Sequence, residues 1–313
     1  MINLTEKNVL ITGGKGFIGN FVVNNLREKR GVPANQIIIP DSKKDDLRSL
    51  ENCERLIKEN KINIIIHLAA IVGGVNFSNK FPATQYYNNI LMDLQIVEAA
   101  KNCGVEKIVL VSSSCAYPRD TSYPLKEENL WNGLPQETNC AYGIGKRILT
   151  VQAEAYFKQY GLNSAVILPN NAYGPGDNFD PENSHVIPSL IRKCLEKQMP
   201  LIVWGDGTPT RDFLYVEDFA EGAILAAEKM NYEDGSVNLG SGTETSVKEL
   251  VAAIMELTEY KGEAIYDHSK PGGQPKRSVN IEKAQKILGF EPRHSLKKGL
   301  KETIEWYKNQ THA

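Results

Sequence analysis

The chain has 313 residues, of which 41% are hydrophobic and 24% charged, and its formal net charge is −2. This composition is typical of a globular protein with a large core, and it excludes a strongly basic surface for nucleic acid or acidic membranes. The five scattered cysteines include no C-x-x-C pair, residues 1–7 do not resemble a signal peptide, and no apolar run approaches the about 18 residues of a membrane span, so we expect a cytoplasmic protein with reduced thiols.

Short apolar strands alternate with longer helices through the first 170 residues. The predicted strands are Val9–Thr12, Ile37–Ile39, Ile62–Leu68, Ile108–Ser112 and Ala165–Leu168. The predicted helices between them are Gly16–Arg30, Leu50–Asn60, Pro82–Asn102 and Ala141–Tyr160. Strands that are apolar on both faces are typical of parallel sheets buried between helix layers. The alternation therefore predicts an α/β fold with a doubly wound parallel sheet of the Rossmann type.

The second half of the chain has a less regular pattern. Residues 170–188 show no clear period, and an irregular stretch of this length usually serves as a binding loop. Helical patterns return at Ser189–Gln198, Val216–Met230, Ser246–Glu259 and Leu296–Lys308. We expect a sheet domain of residues 1–170 plus 215–245, and a smaller mixed α/β lobe of residues 171–214 plus 246–313 that binds the substrate.

A glycine-rich turn follows the first predicted strand directly. Gly13, Gly16 and Gly19 are spaced three apart where a strand passes into a helix. This spacing lets the backbone approach a pyrophosphate closely and directs helix N–H groups at it. Because the context of strand, turn and helix is also present, the turn predicts a dinucleotide site.

Two further groups of side chains carry chemistry. Tyr142 and Lys146 share one face of a predicted helix, and a nearby ammonium would lower the phenol pKa from about 10, so that the phenol could exchange a proton with a carbonyl oxygen. The serine cluster Ser112–Ser114 follows the fourth predicted strand, at the edge of the sheet where ligands bind. One of its hydroxyls could bind the same substrate oxygen as Tyr142, or the serines could simply cap the local backbone.

Together these pieces resemble the extended short-chain dehydrogenase/reductase (NAD-dependent epimerase/dehydratase) family of nucleotide-sugar enzymes, over nearly the whole chain. The resemblance is carried by Thr12–Gly19, Leu68–Ala70, the serine cluster, Tyr142 and Lys146. It implies that the sheet domain binds a nicotinamide dinucleotide and that the smaller lobe binds the nucleotide sugar. The implied cofactor contacts are Gly13, Lys15, Gly16, Phe17, Ile18, Gly19, Asp41, Ser42, Lys43, Leu68, Ala69, Ala70, Tyr142, Lys146 and His185.

Within that family, five segments are similar to the 3,5-epimerase/4-reductases of GDP-4-keto-6-deoxymannose. They are Leu68–Gly74, Ser113–Pro118, Asn171–Phe179, Asn183–Pro188 and Val203–Phe213. The resemblance implies that Ser113, Tyr142 and Lys146 serve reduction and that Cys115 and His185 serve epimerisation. It further implies substrate contacts by Ser114, Cys115, Asn171, Val186, Leu190, Lys193, Trp204, Arg211, Lys276 and Arg277.

Cys115 and His185, the implied epimerisation pair, are residue types that suit acid/base catalysis next to a ketone. A proton next to a ketone is removed by one group and returned from the opposite face by another. A thiol with a pKa of about 8.5 and an imidazole with a pKa of about 6.5 both exchange protons near neutral pH. An isolated cysteine or histidine is more often a structural residue, so Cys115 and His185 are assigned through their flanking segments.

The choice between NAD(H) and NADP(H) stays open from the sequence. Asp41 follows Gly19 by about 20 residues, where an acidic side chain binds a ribose 2′-hydroxyl and repels a 2′-phosphate. The resemblance, in contrast, implies NADP(H), and Lys15, Lys43 and Lys44 could meet the extra phosphate or remain solvated.

The leading hypothesis is therefore 3,5-epimerisation and NAD(P)H-dependent C4 reduction of a GDP-4-keto-6-deoxy-hexose. The alternatives are another NDP-sugar reductase or epimerase (for a heptose or another deoxysugar), a C4-epimerase that retains NAD, and a nucleotide-binding regulatory protein without catalysis.

The histidines are too dispersed to predict a metal site. Helices Pro82–Asn102 and Ala141–Tyr160 are apolar on more than one face, and such helices pair in this family, so we expect a homodimer.

Overall fold

The computed structural model describes residues 1–270 and 274–311. Its strands are β1 (Val9–Thr12), β2 (Ile37–Ile38), β3 (Ile64–His67), β4 (Lys107–Val111), β5 (Asn163–Pro169), β6 (Ala172–Tyr173), β7 (Leu201–Trp204), β8 (Thr210–Arg211), β9 (Leu214–Tyr215), β10 (Ser236–Leu239), β11 (Thr245–Ser246), β12 (Ala264–Asp267) and β13 (Lys276–Arg277). Its helices are α1 (Phe17–Glu28), α2 (Leu50–Glu59), α3 (Val75–Lys80), α4 (Pro82–Asn102), α5 (Cys140–Tyr160), α6 (Val186–Leu195), α7 (Val216–Lys229), α8 (Val247–Leu257), α9 (Glu282–Leu288) and α10 (Leu296–Thr311).

A six-stranded parallel sheet forms the centre of the molecule, with strand order β10-β5-β4-β3-β1-β2. The predicted doubly wound parallel sheet is confirmed, and α7 with β10 returns to the sheet as expected. The order of the strands reverses between β1 and β3. In open α/β sheets, ligands bind in the crevice outside the carboxyl ends of the strands at such a reversal.

Alternate residues of β1 face opposite helix layers. Val9 and Ile11 pack with α1 and α7, whereas Leu10 packs with α2, α4 and α5. All three are fully buried, and each contributes about 1.5–3 kcal/mol through the hydrophobic effect. A central strand covered on both faces needs an apolar side chain at every position, which explains its continuous hydrophobic run.

The smaller lobe is built around a separate hydrophobic cluster that includes residues of α6, α8, α10 and β7. β7 pairs in parallel with β12, and β8 lies between β11 and β13. α8 begins with a capping box, in which the Ser246 side chain and the Glu249 side chain each bind the other's backbone N–H. No helix within residues 1–270 and 274–311 is both long and apolar enough to cross a membrane.

The element boundaries differ from the predicted ones in a few places. α6 begins at Val186 and not at Ser189, because Pro188 fits inside the first helical turn, where its missing N–H has no partner to lose. α3 and α9 were absent from the sequence prediction, since helices of 6 and 7 residues are too short to show a clear period.

Candidate active site

The glycine turn between β1 and α1 has the shape that a pyrophosphate requires. Gly13 has φ +70°, and a Cβ on Gly19 would lie 2.1 Å from the Gly13 carbonyl oxygen. Gly16 occupies the N-cap position of α1 and, lacking a side chain, leaves the N–H groups of the first turn open to a ligand. This turn fits the diphosphate of a dinucleotide, because side chains are excluded where the phosphates would approach.

The residues next to these glycines divide between core and surface. The side chains of Phe17 and Ile18 pack against the hydrophobic clusters, so they can meet a phosphate only through their backbone N–H groups. Lys15 is exposed beside the turn. The backbone N–H groups of Leu68 and Ala69 donate to Thr12 Oγ1 at 3.1 and 3.2 Å, which holds the Leu68–Ala70 segment against the end of β1.

Behind the turn lies a buried chain of polar side chains that ends at Lys146. Thr12 Oγ1 lies 2.7 Å from His67 Nδ1, and His67 Nε2 lies 2.9 Å from Asp93 Oδ1. Asp93 Oδ2 lies 3.4 Å from Lys146 Nζ. No member of this polar chain is more than 3% exposed. Sequence reasoning missed His67 and Asp93, although a histidine ending an isoleucine strand and a carboxylate within the buried part of α4 are both unusual.

The three serines after β4 have different partners. Ser112 Oγ donates to the Lys146 carbonyl oxygen at 2.8 Å, and Ser114 Oγ donates to Asn170 Oδ1 at 2.8 Å. Ser113 Oγ accepts from the Cys115 N–H at 3.1 Å and is hydrogen-bonded to the Tyr142 phenol. Ser113 is therefore the serine beside Tyr142, whereas the Ser114 hydroxyl is occupied by Asn170 and supports the turn.

The electrostatics of Tyr142 differ from the expectation. Burial raises the pKa of the phenol, Cys115 and Asp93 add to the rise, and only the hydrogen bond with Ser113 acts in the opposite direction. The expected lowering by Lys146 is not found, because the Lys146 ammonium lies against the Asp93 carboxylate. In this state the phenol holds its proton, as a group that donates to a carbonyl oxygen must.

Cys115 lies between Tyr142 and an arginine from the smaller lobe. Arg277 Nη1 donates to Cys115 Sγ at 3.2 Å, and the Arg277 Nε and Nη2 atoms donate to Gln274 Oε1 at 3.1 and 2.7 Å. The Cys115 backbone also packs against α5 next to Tyr142, since a Cβ on Gly143 would lie 2.4 Å from the Cys115 carbonyl oxygen. Sequence reasoning missed Gln274, because a single glutamine in a loop gives no signal of its own.

Arg211 and Arg277 form a pair of guanidinium groups that we call the cationic pair. They are brought together by the register of β8 and β13, in which Arg211 is opposite Arg277. Arg211 donates to the carbonyl oxygens of Thr210 and Gln274, at 2.7 and 2.8 Å. Burial, and then the charge of Arg277, lowers the pKa of Arg211 to about 10. Within residues 1–270 and 274–311 no carboxylate forms an ion pair with either guanidinium, so the pair suits an anionic ligand.

A cavity of about 610 Å³ opens beside the cationic pair. It shares Gln274 with the pair and is also lined by Tyr123 and Lys276.

His185 occupies the N-cap position of α6. The residue is exposed, and desolvation by the neighbouring protein atoms lowers the pKa of its imidazole below the ordinary histidine value. The position of a helix N-terminus also disfavours a positive charge. The loop before it is fixed against the turn after β3, where the Gly74 N–H donates to the Asn183 carbonyl oxygen at 3.2 Å. His185 is therefore neutral over most of the physiological pH range.

The other expected substrate residues are partly buried and partly exposed. Val186 and Trp204 are 39% and 48% exposed. The Lys193 ammonium donates to the Ile202 carbonyl oxygen at 3.3 Å, and burial lowers its pKa. Leu190 lies in the core cluster of the smaller lobe, and Asn171 Nδ2 donates to the Asp212 carbonyl oxygen at 3.0 Å, so these two side chains support the cleft from behind.

The loop after β2 carries the charges that would meet the adenosine ribose. Asp41 Oδ1 accepts from the Lys43 N–H at 3.0 Å, so one carboxylate oxygen is used within its own turn. Ser42, Lys43 and Lys44 are exposed. Among the described residues, Lys15, Lys43 and Lys44 take part in no ion pair.

The chain matches one family model and is similar over nearly its full length to many known proteins. A model of the NAD dependent epimerase/dehydratase family matches residues 9–240. A GDP-L-fucose synthase of Sinorhizobium fredii (strain NBRC 101917 / NGR234) is 36% identical, over 97% of this chain and 96% of that protein. The crystal structure of a GDP-6-OMe-4-keto-L-xylo-heptose reductase from C. jejuni has a TM-score of 0.90 at 25% identity and covers 99% of both chains. A GDP-L-fucose synthetase from Naegleria fowleri bound to NADP has a TM-score of 0.85 at 28% identity, over 97% of this chain and 95% of that one.

The family match spans the glycine turn, the polar chain, the serine turn and Tyr142, which are the parts of the cleft described above. This chain therefore belongs to the NAD-dependent epimerase/dehydratase family.

Proposed function

We propose that the protein is a GDP-L-fucose synthase, which epimerises a GDP-4-keto-6-deoxy-hexose at C3 and C5 and then reduces it at C4. The observation that carries the proposal is the position of Cys115, whose sulfur receives a hydrogen bond from Arg277 and whose carbonyl oxygen packs against Gly143, next to Tyr142. A plain reductase needs the phenol but no second acid/base group beside it. A thiol next to that phenol supplies the group that epimerisation requires.

Ser113, Tyr142 and Lys146 carry the reduction in this proposal. Tyr142 donates its proton to the C4 oxygen, and Ser113 binds the same oxygen and orients it. When bound, the nicotinamide supplies the hydride for C4. Gly13, Gly16 and Gly19 hold the diphosphate of the cofactor, and Lys146 holds the ribose next to the nicotinamide.

Cys115 and His185 carry the epimerisation. The neutral imidazole and the thiol exchange the protons next to the C4 ketone, while Tyr142 polarises the ketone oxygen so that the enolate is stabilised. Arg211 and Arg277 bind the substrate diphosphate, and Lys193, Val186 and Trp204 line the nucleoside end of the cleft. Each proton that leaves the ring is replaced by another proton on the opposite face, so this half of the reaction transfers no hydride and consumes no cofactor.

The enzyme uses a nicotinamide dinucleotide, and we propose NADP(H). The NADP-bound relative and the three exposed lysines without ion-pair partners in the described chain, Lys15, Lys43 and Lys44, support this choice. The carboxylate of Asp41 opposes it only in part, because one of its oxygens already binds the Lys43 N–H. The ratio of kcat/KM for NADPH and NADH tests the choice, and a preference for NADH would overturn it.

A second candidate function is C4 reduction of a GDP-4-keto-heptose without epimerisation. It is favoured by the similarity to the heptose reductase of C. jejuni. The two functions differ in solvent exchange at the carbons next to the ketone, since only epimerisation requires it.

We further propose a cytoplasmic homodimer whose two domains have the residue ranges expected from the sequence. Free thiols at all five cysteines support the compartment. The neighbouring helices α4 and α5 expose Tyr87 to 63% and Val151 to 48%, which supports pairing of these helices across a two-fold axis. Light scattering of the purified protein tests the dimer, and a monomeric mass would exclude it.

The deciding experiment incubates the protein with GDP-4-keto-6-deoxymannose and NADPH in deuterated water and identifies the product by NMR. We expect GDP-L-fucose with deuterium at C3 and C5 and one NADPH consumed per product. A product reduced at C4 without deuterium would instead support the heptose-type reductase, and conversion without NADPH consumption would support an epimerase that retains NAD.

A further inference from the structure

The buried polar chain behind the cofactor site fixes the orientation of each of its members. Thr12 Oγ1 accepts from the N–H groups of Leu68 and Ala69, so its own proton points to His67 Nδ1. This network assigns the tautomer of His67, whose Nε2–H then donates to Asp93 Oδ1. The second oxygen of Asp93 is left for the Lys146 ammonium.

The charge on Asp93 is set by the same contacts. Burial alone would raise the pKa of this carboxyl, but the ammonium of Lys146, and then His67, hold it below its usual value. Asp93 is therefore an ion, and it lies against an ammonium that is only 3% exposed. An ammonium in this position would lose either its charge or its place without a counterion.

We propose that Asp93, held by His67 and Thr12, is a positioning residue that keeps Lys146 charged and fixed one helical turn from Tyr142. The inference rests on the proposed role of Lys146 in reduction. Asp93 also acts electrostatically on Tyr142, so it links the two residues from a different helix. The chain couples the end of β1, directly below the glycine turn, to the lysine that faces the nicotinamide ribose.

The polar chain serves to position a charge and not to carry protons to solvent. Its far end is the Thr12 hydroxyl, which is fully buried and already bound by two backbone N–H groups. A proton leaving Lys146 along this path would therefore reach no water. The titratable groups around Lys146 and Tyr142 are Asp93 from α4, His67 from β3 and Cys115 from the turn after β4.

The test is an NMR titration of Lys146 in protein labelled with 13C-lysine, with the resonance assigned by its loss in Lys146→Arg. Asp93→Asn keeps an oxygen for His67 but removes the charge, and we expect the Lys146 titration midpoint to fall by at least about one pH unit. The alkaline limb of the kcat profile is expected to move in the same direction. Asp93→Glu restores a carboxylate and is expected to return the midpoint towards the wild-type value.

Asp218→Asn is the matched control. Asp218 is also a buried carboxylate bound to a histidine, with His294 Nδ1 at 3.0 Å from Asp218 Oδ1, but it lies outside the cleft. Both substitutions lower the melting temperature, and only Asp93→Asn is expected to move the Lys146 titration. An unmoved midpoint in Asp93→Asn, or an equal movement in Asp218→Asn, would overturn the proposal.

The titration uses no sugar substrate, so its result is independent of the proposed function. If wild-type protein fails to convert the GDP-sugar while the Lys146 midpoint still depends on Asp93, the function is wrong and the positioning role stands. If Asp93→Asn does not fold, Thr12→Val tests the far end of the chain without changing a charge. We expect it to lower kcat with KM for the sugar unchanged, and wild-type values for both would overturn the role given to Thr12.

Discussion

The buried cations on the two sides of the cleft have different surroundings. On the cofactor side, the Lys146 ammonium meets the Asp93 carboxylate, and the polar chain behind it is satisfied by protein atoms alone. On the substrate side, Arg211 and Arg277 lie opposite each other, and the structure pairs neither with a carboxylate in residues 1–270 and 274–311.

This difference separates orientation from binding. A charge that the protein neutralises itself is held in one place whether or not a ligand is present. Burial without a counterion lowers the pKa of a cationic group, as it does for Arg211. A bound anion would supply the missing counterion and raise that pKa again. The side that holds Lys146 is therefore preorganised without a ligand, whereas the side that holds Arg211 and Arg277 would gain most from an anion.

The sharpest test of the preorganised side is Tyr142→Phe. Removal of the proton donor is expected to lower the rate of C4 reduction by about 10²- to 10⁴-fold while NADPH still binds. Stopped-flow oxidation of NADPH measures the rate, and fluorescence titration measures the binding. Tyr160→Phe, on the exposed end of the same helix, is the control. Unchanged turnover in Tyr142→Phe would refute the role assigned to the phenol.

The substrate side is tested by Arg211→Ala. Loss of a charge-assisted hydrogen bond to a diphosphate is expected to raise the substrate KM by about 10- to 100-fold. Arg55→Ala removes an arginine that does pair, with Asp45 at 2.7 Å, and should leave KM unaltered. An unaltered KM in Arg211→Ala would remove the residue from the diphosphate site.

Cys115 lies where the two sides meet, and Cys115→Ser separates their reactions. Deuterium entry at C3 and C5 is expected to slow by about 10²-fold or more, whereas reduction of a ketone that is already epimerised should change little. Cys103→Ser, at the far end of α4, controls for loss of a thiol. An equal loss of both reactions would show that Cys115 is no dedicated acid/base group.

Substitution of Asp177 is expected to have the smallest effect, and this effect is on stability. It extends the comparison to a buried carboxylate that forms no ion pair within the described residues. Burial raises the pKa of Asp177 to about 7, and its Oδ2 atom has no hydrogen-bond partner. Because the folded pKa lies above the unfolded value of about 3.9, the native state binds more protons between these values, and stability falls as pH rises through this window.

Asp177→Asn removes the loss of stability that ionisation of this buried carboxyl causes. We expect its melting temperature to exceed that of the wild type by about 2–4 °C at about pH 8, with a smaller gain at about pH 5. Differential scanning calorimetry at both pH values measures the difference. A gain of the same size at both would mean that ionisation of Asp177 is not its cause.

The sequence predicted the sheet, the glycine turn and most helices, because each depends on local periodicity or on a short spacing. The residue pattern alone left open which serine lies beside Tyr142, and only the resemblance named Ser113, because the choice depends on the distant partners Lys146 and Asn170 of the other two serines. It also placed Lys146 as a cation acting on Tyr142. That interpretation missed Asp93, which lies 53 positions earlier in the chain and reaches the lysine only through tertiary packing.

The resemblance implied Arg211 and Arg277 as substrate contacts, but the sequence could not predict that the two guanidinium groups lie opposite each other. Arg211 and Arg277 are opposite each other only because β8 and β13, two strands of two residues each, pair in parallel. Strands this short carry no alternation that a pattern could detect. The contact between Arg277 and Cys115 follows from the same pairing and could not be predicted from the sequence either.

Asn170 is a single buried amide that holds both lobes. Its Oδ1 accepts from Ser114 Oγ at 2.8 Å, and its Nδ2 donates to the Arg277 carbonyl oxygen at 3.2 Å. These two bonds tie the serine turn to the β13 backbone, so any rotation of the smaller lobe would carry both segments together. The Cys115 sulfur and the Arg277 guanidinium would then keep their separation.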